Sequence, residues 1–182
     1  MNKITQPVLA TITLISIALT AGSASVAAAA TGLPGGASSL TETYGNWTVS
    51  CLVQKQAEAQ KVLCSMSQQQ VDDKGQRALA VELSPDKSGA NGAFVLPFGL
   101  NLGAGTILQI DETPADKPAS FTTCLPAGCI VPVSFDAAKA EALGKGKNLS
   151  VLAQAMDGNN IKLTVPLEGF AAALKRTREL LK

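Results

Sequence analysis

Apolar and polar positions alternate in short runs along most of this chain. In residues 45–53, Trp47, Val49 and Cys51 fall on one side of an extended segment, and Thr48, Ser50 and Leu52 on the other. A side-chain period of two predicts a half-buried strand. Residues 61–71 continue it with Val62, Cys64 and Met66 in step, and the polar stretch 54–60 reads as the loop of a hairpin. Asp72-Asp73-Lys74-Gly75 predicts a turn, followed by a strand over 77–83 that ends at Ser84-Pro85-Asp86. Residues 93–97 and 106–110 are short apolar strands, and the intervening 98–105, with three glycines, is read as tight turns. Strands over 120–124 and 129–134 flank the turn Leu125-Pro126-Ala127-Gly128.

The period changes only twice. Residues 136–143 have helical composition with an acid at the start, and Gly144 is the expected C-cap. After a last hairpin, 148–156 and 160–167 across Asp157-Gly158-Asn159, a terminal helix is expected with Leu167, Phe170, Leu174 and Leu181 on one face. Many strands, frequent turns and two short helices predict an all-β fold of sandwich or barrel type.

The N-terminal region follows a different rule. Lys3 gives a short positive start, residues 8–21 carry no charge, and Ala28 and Ala30 fit an A-x-A cleavage site. Residues 1–30 are therefore expected to be a signal peptide, too short in its apolar part for a membrane span of about 20 residues. Residues 31–43, rich in Gly, Pro and Ser at their start, are expected to be a flexible leader to a single domain over 44–182. Export would place the protein in an oxidising compartment outside the cytoplasm. Removal of the signal takes one lysine from the 15 basic residues and leaves 14 against 14 acids. A chain without net charge or a basic stripe lacks the field that nucleic-acid binding needs.

Four cysteines and no histidine narrow the chemistry. Cys51, Cys64, Cys124 and Cys129 allow three pairings, and the sequence alone does not choose among them. Pairing Cys51 with Cys64 suits the hairpin, because alternation puts both on one face. Pairing Cys124 with Cys129 would close the Leu-Pro-Ala-Gly turn. Neither spacing is the C-x-x-C of a redox site, and a four-thiolate zinc site would show two tight pairs. Structural disulfides are the expectation, with no metal or cofactor.

Other candidates have plainer roles. The Gly99–Gly105 run lacks the Gly-Lys-Ser/Thr of a phosphate loop and leads into a strand rather than a helix. No G-x-S-x-G or histidine base supports a hydrolytic triad. Glu42, Glu82, Asp111 and Glu112 leave a carboxylate-pair hydrolase as the alternative activity. Trp47 with Tyr44 offers either a ligand anchor or, more simply, a buried core tryptophan. Lys175, Arg176, Arg178 and Lys182 offer an anionic lipid surface a peripheral hold, against the plainer role of favouring the helix dipole.

The order of these features resembles a known family. Tyr44-Gly45-Asn46-Trp47-Thr48-Val49-Ser50-Cys51, the later Cys64, Leu96-Pro97-Phe98-Gly99 with Gly105-Thr106, and Phe121-x-x-Cys124-x-x-x-Gly128-Cys129 are similar to the invasion-associated locus B proteins of alphaproteobacteria. In that family a small residue usually follows the Cys-x-x-x-Gly-Cys turn, where this chain has Ile130. The resemblance spans roughly residues 44–167. It implies a periplasmic or outer-membrane-associated protein, linked to host-cell entry in pathogenic members, with no known catalytic residue. The resulting expectation is a non-enzymatic envelope protein that binds an unidentified protein or envelope component, with a periplasmic inhibitor or chaperone as a further alternative.

Overall fold

The inward positions set by alternation assemble two antiparallel sheets over one core. The computed structural model describes residues 32–56 and 59–182, so the expected signal peptide lies outside the described residues. The strands are β1 (Ser39–Tyr44), β2 (Trp47–Gln56), β3 (Ala59–Val71), β4 (Arg77–Pro85), β5 (Ala90–Leu96), β6 (Thr106–Ile110), β7 (Thr123–Leu125), β8 (Gly128–Phe135), β9 (Asn148–Gln154) and β10 (Asn160–Pro166). Helices α1 (Ala137–Lys145) and α2 (Phe170–Leu180) and two single 3-10 turns, Pro34–Gly36 and Leu102–Ala104, complete the described set. Seven strands form one sheet in the order β1-β2-β3-β4-β5-β8-β7, and three form another in the order β10-β9-β6. The fold is thus mostly antiparallel β with two helices, as the patterning predicted.

The core follows the alternation. Trp47, Val49 and Cys51 on β2, Cys64 and Met66 on β3, and Leu79, Val81 and Leu83 on β4 are buried, together with Phe94 and Leu96 on β5 and Val131 on β8. Leu108 and Ile110 on β6, Leu149 and Val151 on β9, and Val165 on β10 join the same cluster from the smaller sheet. Phe170, Ala173, Leu174, Thr177 and Leu180 are the buried stripe of α2. At about 25 cal/mol per Å² of apolar surface removed from water, this continuous core is the main force holding the sheets and α2 together.

Several expectations are corrected. Residues 39–43 of the expected leader belong to strand β1, and Leu33 is buried in the core. Their pattern hid this, because the inward positions of β1 include Glu42, which needs a distant partner. The 54–60 stretch is strand on both sides, with β2 reaching Gln56 and β3 starting at Ala59. β5 starts at Ala90 rather than residue 93, and the strand before the turn at 125–128 covers only Thr123–Leu125. α1 runs one turn position past Gly144 and is capped at Gly146, while Asp136 N-caps it by accepting from the Lys139 N–H at 2.7 Å. Leu167 is buried but precedes α2, and Leu181 caps it at the surface, 39% exposed.

Candidate functional site

The Tyr-Gly-Asn-Trp segment is the joint of the fold. Gly45 (φ 55°) and Gly169 (φ 88°) lie back to back, and a Cβ on Gly169 would stand 1.9 Å from the Tyr44 carbonyl oxygen. Glycine is therefore required at Gly169 both for the left-handed turn and for the close approach. The contact lets the Asn46 N–H donate to the Glu168 carbonyl at 3.1 Å. The Trp47 indole N–H donates to the Pro166 carbonyl at 3.3 Å, and its ring meets Phe170 edge-on, centroids 5.2 Å apart. Gln68, buried on β3, donates to the carbonyls of Asn46 and Pro166 at 3.1 and 3.0 Å. Trp47 is 1% exposed, so it is core rather than a ligand anchor.

Glu42 and Arg176 tie the other side of α2 to β1. The Arg176 guanidinium makes a two-pronged contact to the carboxylate, at 2.7 and 2.8 Å, and the Tyr44 hydroxyl donates to Glu42 at 2.8 Å. The arginine, followed by the tyrosine hydroxyl, lowers the Glu42 pKa to about 2. The same carboxylate pushes the Tyr44 phenol up. Arg178 donates to the carbonyls of Ser88 and Gly89 at 2.7 and 2.9 Å. Two of the four terminal cations thus fasten α2, one to β1 and one to the loop before β5, while Lys175 approaches Glu179 at 4.0 Å and Lys182 is exposed.

The cysteines pair as Cys51–Cys64, across directly opposed positions of β2 and β3, and as Cys124–Cys129, across the β7–β8 hairpin. The first bridge is buried on the Trp47 face; in the second, Cys124 is exposed and Cys129 buried. Both staple neighbouring strands.

The candidate carboxylates do not converge. Glu82 is exposed on β4 of the larger sheet, whereas Asp111 and Glu112 follow β6 of the smaller one. Asp111, at φ 47°, accepts from the N–H groups of Lys147 and Asn148 at 2.9–3.2 Å, and those bonds pull its pKa down. It clamps the loop before β9. Glu141 is likewise held below the usual carboxylate range by Lys145. A general acid needs a shift in the opposite direction. Among the described residues no group of three or more Asp, Glu or Cys side chains could hold a metal ion.

Two surface features were missed by motif reading. The first is an apolar tip. Phe98 and Leu102, on the loop after β5, are 62% and 43% exposed, and Met156, beyond β9, is 73% exposed. Backbone bonds fix these loops side by side: Met156 N–H to the Gly99 carbonyl at 2.9 Å, and Asn101 N–H to the Gln154 carbonyl at 2.7 Å. A groove of about 400 Å³, lined by Ala104, Ile107, Leu152 and Ile161, runs beside Gln154. No charged residue occurs from Ser88 to Ile110 or from Asn148 to Met156. The signal was present as two charge-free runs, but each run also supplies core strands, which masked its exposed part. The second feature is a polar slot of about 560 Å³ between β8 and the segment after β6.

Comparison with known proteins agrees with this arrangement. Residues 47–178 match the family described as "Invasion associated locus B (IalB) protein". An Invasion protein B homolog of Brucella abortus (strain 2308) is 45% identical over 161 residues, covering 87% of this chain and 90% of the relative. Invasion protein B of Bartonella bacilliformis is 38% identical over 154 residues, covering 82% of this chain and 81% of the relative. The crystal structure of invasion associated protein B from Bartonella henselae superposes with a TM-score of 0.70 at 34% identity, covering 78% of this chain and 96% of that one. The family match spans Trp47, all four cysteines and the buried stripe of α2 as far as Thr177, so this chain belongs to the invasion-associated locus B family.

Proposed function

We propose that the protein is an exported, non-catalytic envelope protein that binds a macromolecular partner through the apolar tip formed by Phe98, Leu102 and Met156. The observation that carries the reading is that these three side chains are exposed on two loops that backbone hydrogen bonds join to each other. Large apolar side chains exposed on neighbouring loops are costly in water unless a partner covers them. Two disulfides support an oxidising compartment, the periplasm or the cell surface. No described helix is long and apolar enough to cross a membrane. The relatives named Invasion protein B support a role at the bacterial surface during contact with host cells.

The non-catalytic part rests on the dispersal of Glu82, Asp111 and Glu112 and on the downward pKa shifts of Glu42, Asp86, Asp111 and Glu141. The test replaces Phe98 and Met156 by serine in the full chain, expressed in a strain lacking the native gene. The variant should fold, with both disulfides formed, yet restore neither host-cell adhesion nor envelope integrity, while the unaltered protein restores at least one. Full restoration by the folded variant would refute the tip as the binding surface.

A further inference from the structure

The polar slot carries a second inference, independent of the tip. One of its walls is the outer edge of β8. The Ile130 carbonyl accepts from the Thr122 N–H at 3.0 Å, so at this position the backbone faces away from β5. Alternation turns the backbone groups of Pro132 and Ser134 the same way. Pro132 agrees, since it stands opposite Ala93 and has no N–H to donate across that pair. β7 covers β8 only as far as Ile130. The Pro132 carbonyl and the Ser134 N–H and carbonyl therefore form an open edge, with both residues exposed. Among the described residues no hydrogen-bond partner is found for them.

The opposite wall is the extended segment Asp116–Ala119, itself bonded to β6 through Asp116 N–H to the Leu108 carbonyl and Ala119 N–H to the Thr106 carbonyl, at 3.1 and 2.7 Å. A slot of about 560 Å³ separates this open strand edge from the second extended wall. Its lining is acidic on balance. Asp86, Asp116 and Asp136 face Lys117 and Lys139, and Lys139 is held by Asp116 at 2.6 Å. Asp86 stays ionised, because the N–H groups of Ser88 and Gly89 bond its carboxylate and keep its pKa low.

We infer that this slot binds an extended, basic peptide segment of a partner protein, which adds to β8 as a strand and places cationic side chains against Asp86 and Asp136. Main-chain bonds to Ser134 and Pro132 would supply register, and the aspartates the preference for positive charge. Pro132 limits the edge to this short stretch, which also keeps copies of the protein from stacking edge to edge.

The test uses the full mature chain and three synthetic probes, acetyl-Lys-Val-Lys-Val-Lys-amide, its glutamate counterpart, and the lysine peptide N-methylated at its central residue. The lysine peptide should bind and shift the Ser134 amide resonance. The glutamate peptide should bind at least tenfold more weakly. N-methylation, which removes a main-chain donor, should weaken binding by about tenfold, the factor expected for one lost hydrogen bond. Ser134→Pro removes a donor that β5 does not use, so the variant should fold and lose the peptide to a similar degree. Binding of the lysine peptide that survives both N-methylation and Ser134→Pro would mean surface charge adsorption and would overturn the strand-addition proposal. So would a concentration-dependent dimer abolished by Ser134→Pro, which would assign the edge to a second copy of the chain.

Discussion

Replacing Gly169 by alanine tests whether the Tyr44–Trp47 joint holds α2 in place. The new Cβ would lie 1.9 Å from the Tyr44 oxygen, 2.4 Å from its carbon and 2.9 Å from the Gly45 nitrogen. Real Cβ contacts stay beyond 3.0 Å, so the two backbone segments must part by about 1 Å. Parting them strains the Asn46–Glu168 bond, the two Gln68 bonds and the Trp47–Pro166 bond. A left-handed non-glycine residue costs about 1–2 kcal/mol. Losing one or two of those bonds adds about 0.5–1.5 kcal/mol each. The smaller freedom of alanine in the unfolded chain returns about 0.4–1 kcal/mol. The net expectation is a loss of about 0.5–4.6 kcal/mol, or a fall in Tm of roughly 1–18 °C for a domain of this size.

Trp47 is the chain's one tryptophan and sits in the joint, so its fluorescence during urea and thermal unfolding reports on the perturbed contact. Gly75→Ala is the control, because Gly75 has a similar φ of 74° but nothing within 4 Å of the added carbon. It should cost only the conformational part, about 1–2 kcal/mol before the unfolded-state offset. Gly169→Asn separates the two causes further: asparagine tolerates the left-handed region but still brings a Cβ to the Tyr44 carbonyl. If Gly169→Ala and Gly75→Ala destabilise equally, the backbone collision is not felt and the account of the joint is wrong.

Other perturbations follow from the same geometry. Glu42 is held at about 2 in the folded protein and titrates near 4.5 when unfolded, so the unfolded state binds the extra proton between those values. Its contribution to stability is present above pH 4.5 and is lost as pH falls toward 2. The stability gap between wild type and Glu42→Gln should accordingly shrink across that window in urea titrations, and a constant gap would contradict the Arg176 clamp. Removing Cys51–Cys64 by paired alanine substitution should cost about 3 kcal/mol, and removing Cys124–Cys129 roughly 2 kcal/mol, by loop-closure entropy over their separations of 13 and 5 residues. Equilibrium unfolding that ranked them in the opposite order would show that loop length does not govern these bridges. Gln68→Ala should cost about 1–3 kcal/mol by leaving the Asn46 and Pro166 carbonyls without that donor; a neutral result in denaturant unfolding would mean water replaces it.

By itself the sequence determined most of the strand segments, the class of the fold, the inward face of β2 and β3, and the likeness to a family. These depend on side-chain period and on residues close together in the chain, where alternation leaves little choice of face. The pairing of the cysteines was compatible with that reading, but one of three possibilities until the register placed Cys51 opposite Cys64. Only the tertiary structure decided the role of Glu42, whose partner is 134 residues away, and so turned part of an expected leader into strand β1. It also separated the exposed Phe98 and Met156 from the buried Phe94 and Val151 within the same charge-free runs. Apolar character is written in the sequence, whereas which apolar side chains remain uncovered depends on where two sheets and a helix meet. The open edge of β8 is of the same kind: alternation marks a strand, and only topology shows that its neighbour stops short.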